Sequence, residues 1–249
     1  TFTATKAVVC YRDEGNSNQG TCNAVTEDGS LGLTKGADLV VNAGDTTHLS
    51  VATFSGTKGV LCYTDAGNSN KGTCTVFTFD GSATLTKNDD LVINDAATLY
   101  VQVAIFSATR AIVCYEDDAV GDHAECKALQ YANGAAVTAP GAVLSVKGAA
   151  VSNLGLAVFD ATNAIVCYED GGNSNHGTCN ALAFDGTHTL TKGNDLVVNA
   201  GATLYLAVAS RSATIAVVCY EDDADSDHGT CNELLRSGTT LTKGADLDV

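Results

Sequence analysis

Short runs of β-branched and aromatic residues alternate along the chain with clusters of Gly, Asn, Asp and Ser. In a representative stretch, TLYVQVAIF (98–106) is followed after a short turn by RAIVCYED (110–117), and then by AECKALQY (124–131). Strong β-formers bounded by turn residues predict strands. No window carries an apolar period of 3.6 residues over ten or more positions, which argues against amphipathic helices. The pattern therefore predicts an all-β chain.

The same pattern occurs five times along the 249 residues. The first copy contains CYRDEGNSNQGTC, and its counterparts follow at intervals of 52, 52, 53 and 52 residues. A second block, LTKGADLVV at 33–41, recurs in every copy except the third, where VTAPGAVLS occupies 137–145. The five repeats have the approximate boundaries 1–45, 46–97, 98–150, 151–201 and 202–249. Five copies at this period indicate a repeat architecture.

Each repeat contains four predicted strands, here called segments a to d, of which d is the LVV stretch after TKG. Four strands in about 52 residues is the size of a propeller blade. A tandem β array must protect its two end strands from edge pairing, and a closed ring does so by bringing the last repeat against the first. We therefore predict a five-bladed β-propeller, a single closed domain over residues 1–249. The alternative is an excerpt of a longer array, because the chain starts at Thr1, without an initiator methionine, as segment a is finishing.

Each repeat carries two cysteines 12 residues apart, and the midpoint of every pair falls in the turn-rich loop between segments b and c. Residues equidistant from a hairpin tip face each other at a distance that a disulfide spans. The predicted disulfides are Cys10–Cys22, Cys62–Cys74, Cys114–Cys126, Cys167–Cys179 and Cys219–Cys231. The alternatives are ten buried free thiols or zinc sites. Zinc is disfavoured because each repeat offers two ligands, whereas structural zinc takes four.

The charge of the chain narrows the range of partners. Lys and Arg total 13 and Asp and Glu total 29, which gives a formal net charge of −16. Such a charge argues against binding to nucleic acid or to an anionic membrane surface. No apolar run is long enough to insert across a membrane. Disulfides form in oxidising compartments, so a secreted or cell-surface location is predicted.

Acidic residues concentrate in the loops between segments b and c. The fifth loop offers a candidate calcium site formed by Asp222, Asp223, Asp225 and Asp227. Their spacing resembles that of loops whose carboxylates gather round calcium. A weaker version in the third loop consists of Asp117, Asp118 and Asp122. The alternative is a solvated turn; no cofactor is required under either interpretation.

Other polar residues also recur in register. His123, His176 and His228 share one position, but equivalent residues on different blades lie too far apart to bind one metal, so they are predicted to be exposed loop histidines. His48 and His188 are isolated in the sequence.

A Lys precedes an Asp by three residues in the pairs Lys35/Asp38, Lys87/Asp90, Lys192/Asp195 and Lys243/Asp246. These pairs either stabilise a turn or form a polar rim that meets a ligand. The tyrosines after the first cysteines, Tyr11, Tyr63, Tyr115, Tyr168 and Tyr220, are predicted to pack between neighbouring blades.

Catalysis usually needs single residues that converge from different parts of the chain, whereas here nearly every polar residue recurs in register. We therefore predict a non-catalytic protein, with a glycosidase on a five-bladed propeller as the less favoured alternative. A surface repeated five times favours multivalent, lectin-like binding of a glycan or an extracellular protein. The other alternative is a structural component of an extracellular coat, fibre or matrix, formed by self-assembly.

The motif VCYxDxGNxxxGTC together with LTKGxDLVVNxG resembles tandem repeats of large predicted secreted proteins of unicellular algae such as dinoflagellates. The resemblance covers nearly the whole chain. The third and fifth repeats depart from GNSN, and the third also departs from LTKGxD. The resemblance implies an extracellular repeat protein and assigns no catalytic residue.

Overall fold

The computed structural model describes residues 1–132, 136–139 and 141–249. Pro140, in the divergent block of the third repeat, lies outside these residues. The described chain forms strands and short 3₁₀ turns, and contains no α-helix. The strands are β1 (Lys6–Asp13), β2 (Gln19–Glu27), β3 (Leu33–Lys35), β4 (Leu39–Ser55), β5 (Lys58–Asp65), β6 (Lys71–Phe79), β7 (Leu85–Ser107), β8 (Arg110–Asp117), β9 (His123–Ala132), β10 (Ala136–Thr138), β11 (Leu144–Asp160), β12 (Asn163–Asp170), β13 (His176–Phe184), β14 (Leu190–Lys192), β15 (Leu196–Ser210), β16 (Ile215–Asp222), β17 (His228–Ser237) and β18 (Thr240–Asp248).

The all-β prediction is confirmed, and segments b and c form antiparallel hairpins. Segment b of the third repeat is β8, with the predicted bounds, and segment c extends only slightly further as β9. The pairing of the strands connects them into an antiparallel sheet of 18 strands over the described residues. Closure of the strands into a five-bladed ring, and a single closed domain, stay predictions.

The strands differ from the prediction where one repeat joins the next. Segment d and the following segment a are not separate strands but the two halves of one long strand, namely β4, β7, β11 and β15. In β4, Val40 pairs with Thr21 of β2, whereas Val51 pairs with Leu61 of β5. The turn-type residues between the halves, such as Asn42 in β4, produce shifts in register rather than a chain reversal. Each long strand therefore serves two successive hairpins.

The chain divides into two compact units, Thr1–Ala111 with Leu129–Ala139, and Ile112–Ala128 with Pro140–Val249. The core of the first unit includes Leu61, Tyr63 and Phe77, and Phe2 stacks on Phe79 with ring centroids 4.7 Å apart. The core of the second unit includes Phe159, Ile165, Val218, Tyr220 and Leu234. Burial on both faces accompanies the nearly continuous apolar runs of β5, β8 and β12, whereas β1 and β16 are less buried.

Two glycines of the second block allow close packing between neighbouring repeats. A Cβ atom added at Gly36 would clash with the carbonyl oxygen of Ala83 in the first unit. A Cβ atom at Gly193 would clash in the same way with the carbonyl oxygen of Thr239 in the second unit. The glycine of LTKG therefore lets the turn before one segment d lie directly against the following repeat.

All five predicted disulfides are present. In β1 and β2, Cys10 lies directly opposite Cys22, with 4.1 Å between the Cα atoms. The other bonds are Cys62–Cys74, Cys114–Cys126, Cys167–Cys179 and Cys219–Cys231. No cysteine is free, so the free-thiol and zinc alternatives are wrong for these residues. Among the described residues there is also no helix that could cross a bilayer.

Candidate functional site

The loops between segments b and c share one backbone design. Each begins with a 3₁₀ turn and continues into residues of positive φ, such as Ser226 at 58° and Asp227 at 61° in the fifth loop. The carboxylate of Asp222 accepts a hydrogen bond from the backbone N–H of Ala224 at 3.1 Å. Asp117 accepts the equivalent bond from Ala119, also at 3.1 Å. One aspartate of each proposed calcium loop therefore caps the turn that follows it.

The remaining loop aspartates do not gather into a preformed metal site. Asp223 and Asp225 lie within the 3₁₀ turn, and Asp225 Oδ2 lies 3.5 Å from Nδ1 of His228. Over the described ranges, no group of three or more His, Cys, Asp or Glu side chains is arranged to hold a metal ion. Calcium binding by the fifth loop stays a prediction.

The three aligned histidines begin segment c of their own repeats, at the first residues of β9, β13 and β17. His176 Nδ1 lies 3.2 Å from Nδ2 of Asn173, within the same loop. His228 is more than half exposed and faces Asp225. Each of these two histidines contacts its own hairpin loop, which agrees with the prediction of loop histidines.

The Lys–Asp pairs of the second block form ion pairs. The N···O distances are 2.5 Å for Lys35–Asp38, 2.7 Å for Lys87–Asp90, 2.9 Å for Lys192–Asp195 and 2.5 Å for Lys243–Asp246. Asp195 also accepts a hydrogen bond from Asn180 Nδ2 at 2.8 Å. Desolvation raises the pKa of Asp195, but hydrogen bonds from Asn180, Lys192 and Lys147 outweigh it and bring the pKa to about 2. These contacts favour a role in stabilising the turn.

Four of the five recurring motif tyrosines belong to the interior, whereas Tyr11 of the first repeat is only partly buried. Tyr63, Tyr115, Tyr168 and Tyr220 are at most 4% exposed. The hydroxyl group of Tyr220 lies 3.2 Å from the carbonyl oxygen of Val198, on the preceding long strand, and 2.9 Å from Asn232 Oδ1. Tyr220 therefore packs between neighbouring repeats, as predicted. These buried rings offer no surface to a ligand.

A buried carboxyl follows the tyrosine in the third and fourth repeats. Glu116 is 4% exposed and Glu169 is 8% exposed. Glu169 Oε2 accepts hydrogen bonds from Ser152 Oγ at 2.6 Å and from Asn153 Nδ2 at 2.8 Å. Glu116 Oε2 is buried and has no hydrogen-bond partner among the described residues. Burial raises the pKa of Glu116 to about 8, and the charges of Asp122 and Asp118 add to this effect.

A second set of residues lies at a bulge in each long strand, where segment a begins. These bulge residues are His48 in β4, Tyr100 in β7, Asn153 in β11 and Tyr205 in β15. All four have positive φ, at 49°, 46°, 50° and 49° respectively. In β4 the pairing skips from Thr47–Thr64 to Ser50–Cys62, so His48 and Leu49 together lie opposite Tyr63. The register of β11 and β15 is interrupted at the equivalent place.

The bulge residues bring aromatic groups to the surface, most fully at Tyr205, whereas His48 is exposed and Tyr100 is half-buried. Tyr205 is 74% exposed. The rings of His48 and Tyr100 are in contact, with centroids 5.2 Å apart and planes inclined at 57°. The two strands lie side by side there, since the backbone N–H of Val103 donates to Ser50 Oγ at 3.0 Å. Sequence reasoning treated His48 as isolated and missed this set. The sequence did contain a signal for the bulge residues, because one aligned position of segment a is occupied by His, Tyr, Asn and Tyr in successive repeats.

Comparison with known proteins finds a similar fold in solved structures but no similar sequence family. No protein-family model matches the chain, and no curated protein matches its sequence. The SapL1 lectin in complex with alpha methyl fucoside is 13% identical, with a TM-score of 0.61 over 99% of this chain and 78% of that one. A variant of the Aleuria aurantia lectin in complex with alpha-methyl-L-fucoside is 13% identical, with a TM-score of 0.55 over 98% of this chain and 78% of that one.

An enzyme shares the same fold. A leech intramolecular trans-sialidase is 9% identical, with a TM-score of 0.53 over 92% of this chain. The chain spans 36% of the length of that enzyme. At such identities the likeness shows the fold alone. The chain therefore has an all-β fold shared by lectins and by part of a sialidase.

Proposed function

We propose that this chain is a non-catalytic, lectin-like module that binds glycans through several copies of one site. The observation that carries the proposal is the match of fold over 99% and 98% of the chain to two lectins in complex with fucosides. The repeated surface supports it, because copies of one weak site raise the avidity for a glycan presented many times. The proposed arrangement of the copies is a closed five-bladed propeller. The sharing of each long strand between two hairpins supports that arrangement.

The proposed setting is extracellular, secreted or on the cell surface. Five disulfides support it, since such bonds persist in oxidising compartments. The resemblance to secreted algal repeat proteins points the same way and is itself a proposal. In this setting the ligand is a glycan on another molecule, and an extracellular protein or a second copy of this chain are the competing partners.

A glycan array probed with the disulfide-intact protein tests the proposal. We expect reproducible binding to a small set of glycans, and weaker binding once the glycan is printed at a density too low for several sites to engage. Absence of binding to any glycan, together with concentration-dependent assembly in sedimentation, would instead favour a coat or matrix component. Release of a shortened sugar from a bound glycan, detected by mass spectrometry, would contradict a non-catalytic role.

A further inference from the structure

The bulge residues occupy a backbone conformation that their side chains disfavour. A left-handed conformation costs roughly 1–2 kcal/mol for an L-residue with a Cβ atom, and for a bulky residue within a strand it is an outlier. Asn tolerates this conformation, and Asn153 fits that rule. His tolerates it as well, so His48 also fits, whereas Tyr100 and Tyr205 do not, although their φ values are equally positive. Two of the four bulges, at Tyr100 and Tyr205, therefore combine a disfavoured backbone with a large ring, and a third presents the ring of His48.

The chain uses glycine at several other positions of positive φ, although the b–c loops use Ser, Asn and Asp there and the first turn after segment c also has Leu31, at 66°. In the turns after segment c, Gly29, Gly81, Gly186 and Gly238 have φ values between 61° and 88°. Glycine would satisfy the backbone of the bulges equally well and without strain. The rings at the bulges are therefore not explained by the backbone. Strain of this kind, and bulges that redirect a side chain, are concentrated at functional sites.

We propose that the rings at the bulges are the sugar-contacting groups of the molecule. In the first compact unit the contact surface is the pair His48 and Tyr100, and in the second it is Tyr205. This inference rests on the proposed glycan binding and names where it occurs.

The chemistry of these positions selects a neutral sugar. A sugar presents a face of C–H groups that packs on an aromatic ring, and its hydroxyl groups need polar partners beside that ring. We assign the acceptor beside Tyr205 to Glu221, which pairs across the strands with Leu204, the chain neighbour of Tyr205. Partial desolvation lowers the pKa of His48, which disfavours a charge on its ring. With a net charge of −16, the chain disfavours sialylated or sulfated ligands.

The test uses the full, disulfide-bonded chain and replaces each ring with the residue that the chain itself carries at position 153. The triple variant His48→Asn, Tyr100→Asn and Tyr205→Asn keeps a residue that accepts positive φ. The probes are methyl α-L-fucoside and lactose, with 3′-sialyllactose as the anionic counterpart of lactose. Saturation-transfer NMR and calorimetry measure binding, and thermal melting measures stability. Leu31→Asn, at a fully exposed position, is the matched surface control.

We expect the wild-type chain and the Leu31→Asn control to bind a neutral probe, and to bind 3′-sialyllactose at least tenfold more weakly than lactose. The triple variant should lose at least tenfold in affinity while its melting temperature stays equal or rises, because the strain is relieved. Wild-type binding that the triple variant retains would overturn this inference and leave the proposed function standing. A large fall in melting temperature would overturn it too, because the rings would then serve packing. If the wild-type chain binds neither neutral probe and no glycan on the array, the proposed function itself fails.

Discussion

Glu116 and Glu169 occupy the same position in two successive repeats, yet their carboxyl groups have different surroundings. Both are buried within the second compact unit. Glu169 accepts hydrogen bonds from Ser152 and Asn153, at 2.6 and 2.8 Å. Glu116 Oε2 has no partner among the described residues, and burial raises the pKa of this residue to about 8. One repeat thus supplies donors to a buried carboxyl group, and the other buries a carboxyl group that holds its proton at neutral pH.

The difference shows that the repeat determines where a glutamate is buried, whereas the local sequence determines which hydrogen-bond donors surround it. Strand pairing and the cysteine pair fix the depth of both glutamates. The donors come from two residues near the start of segment a. These are Ser152 and Asn153 in the fourth repeat, and the aligned residues of the third repeat are Leu99 and Tyr100. Two carboxyl groups in equivalent buried positions therefore differ in their hydrogen-bond donors because two residues of an adjoining segment differ.

The largest effect is expected when the satisfied carboxylate is removed. Glu169→Leu leaves the Ser152 hydroxyl and the Asn153 amide without their acceptor, so the free energy of unfolding should fall by about 3 kcal/mol. Chemical denaturation at pH 7 measures the loss. Glu116→Leu is the matched control, and it should be neutral or stabilising because it removes a buried polar atom that has no partner. Equal losses in the two variants would show that the two sites do not differ.

The pH dependence of stability should expose Glu116. Its pKa in the folded chain, about 8, lies above the ordinary value of 4.5, so between these pH values the folded state binds more protons than the unfolded state. The contribution of Glu116 to stability is therefore fully present below about pH 4.5 and is lost as the pH rises through 8.

Glu116→Gln should remove that slope. We expect the variant to be about 2 kcal/mol more stable than the wild-type chain at pH 9, where the wild-type chain must bury a charge without a partner. Near pH 5 the two proteins should be alike. Denaturation curves at both values measure the difference, and Glu169→Gln serves as the control. A constant difference from pH 5 to pH 9 would contradict the raised pKa.

A smaller effect is expected from removing one donor of Glu169. Ser152→Ala deletes the bond of 2.6 Å and retains the one from Asn153, so the loss should be about 1.5 kcal/mol. The aligned residue in the second repeat is Thr47, whose partner across the strands is Thr64 rather than a carboxyl group. Thr47→Ala should therefore cost less than Ser152→Ala, because it removes no hydrogen bond to a buried carboxyl group. A loss no greater for Ser152→Ala than for Thr47→Ala would show that the bond to Glu169 contributes nothing.

The parts of the fold that depend on local spacing could be read from the sequence. The opposition of Cys10 and Cys22 follows from a hairpin centred between them, and β8 follows from β-formers bounded by turn residues. The joining of segments d and a into one long strand could not be predicted from the sequence. Residues such as Asn42, Ala43 and Gly44 occur both in a bulged strand and in a turn that reverses the chain. His48 was missed because positive φ is normally marked by Gly or Asn. Glu116 was missed because glutamate is rarely buried without a partner.

The comparison extends to the loops that follow these glutamates. The fourth loop, after Glu169, has no acidic residue in its 3₁₀ turn, whereas the fifth loop, after Glu221, has Asp223 and Asp225 there. In the third loop, after Glu116, desolvation and a hydrogen bond with Asp118 raise the pKa of Asp122. The backbone design is shared, so the number of carboxylates is the variable that distinguishes the loops.

The smallest predicted effect is therefore the response to calcium, which should be confined to the fifth loop and, more weakly, the third. A bound calcium ion would offset the mutual repulsion of Asp222, Asp223, Asp225 and Asp227. When the calcium concentration equals Kd, the stabilisation is about 0.4 kcal/mol, so the melting temperature should rise by about 1–2 °C in millimolar calcium relative to chelator. Asp223→Asn combined with Asp225→Asn should abolish the rise and leave the fold intact, because the turn keeps its cap from Asp222. The matched control is Asp13→Asn in the first loop, which should leave the rise unchanged. Identical melting temperatures in calcium and in chelator would mean that the fifth loop is only a solvated turn. The differences among the repeats would then lie in their buried carboxyl groups and bulge residues, and not in their loops.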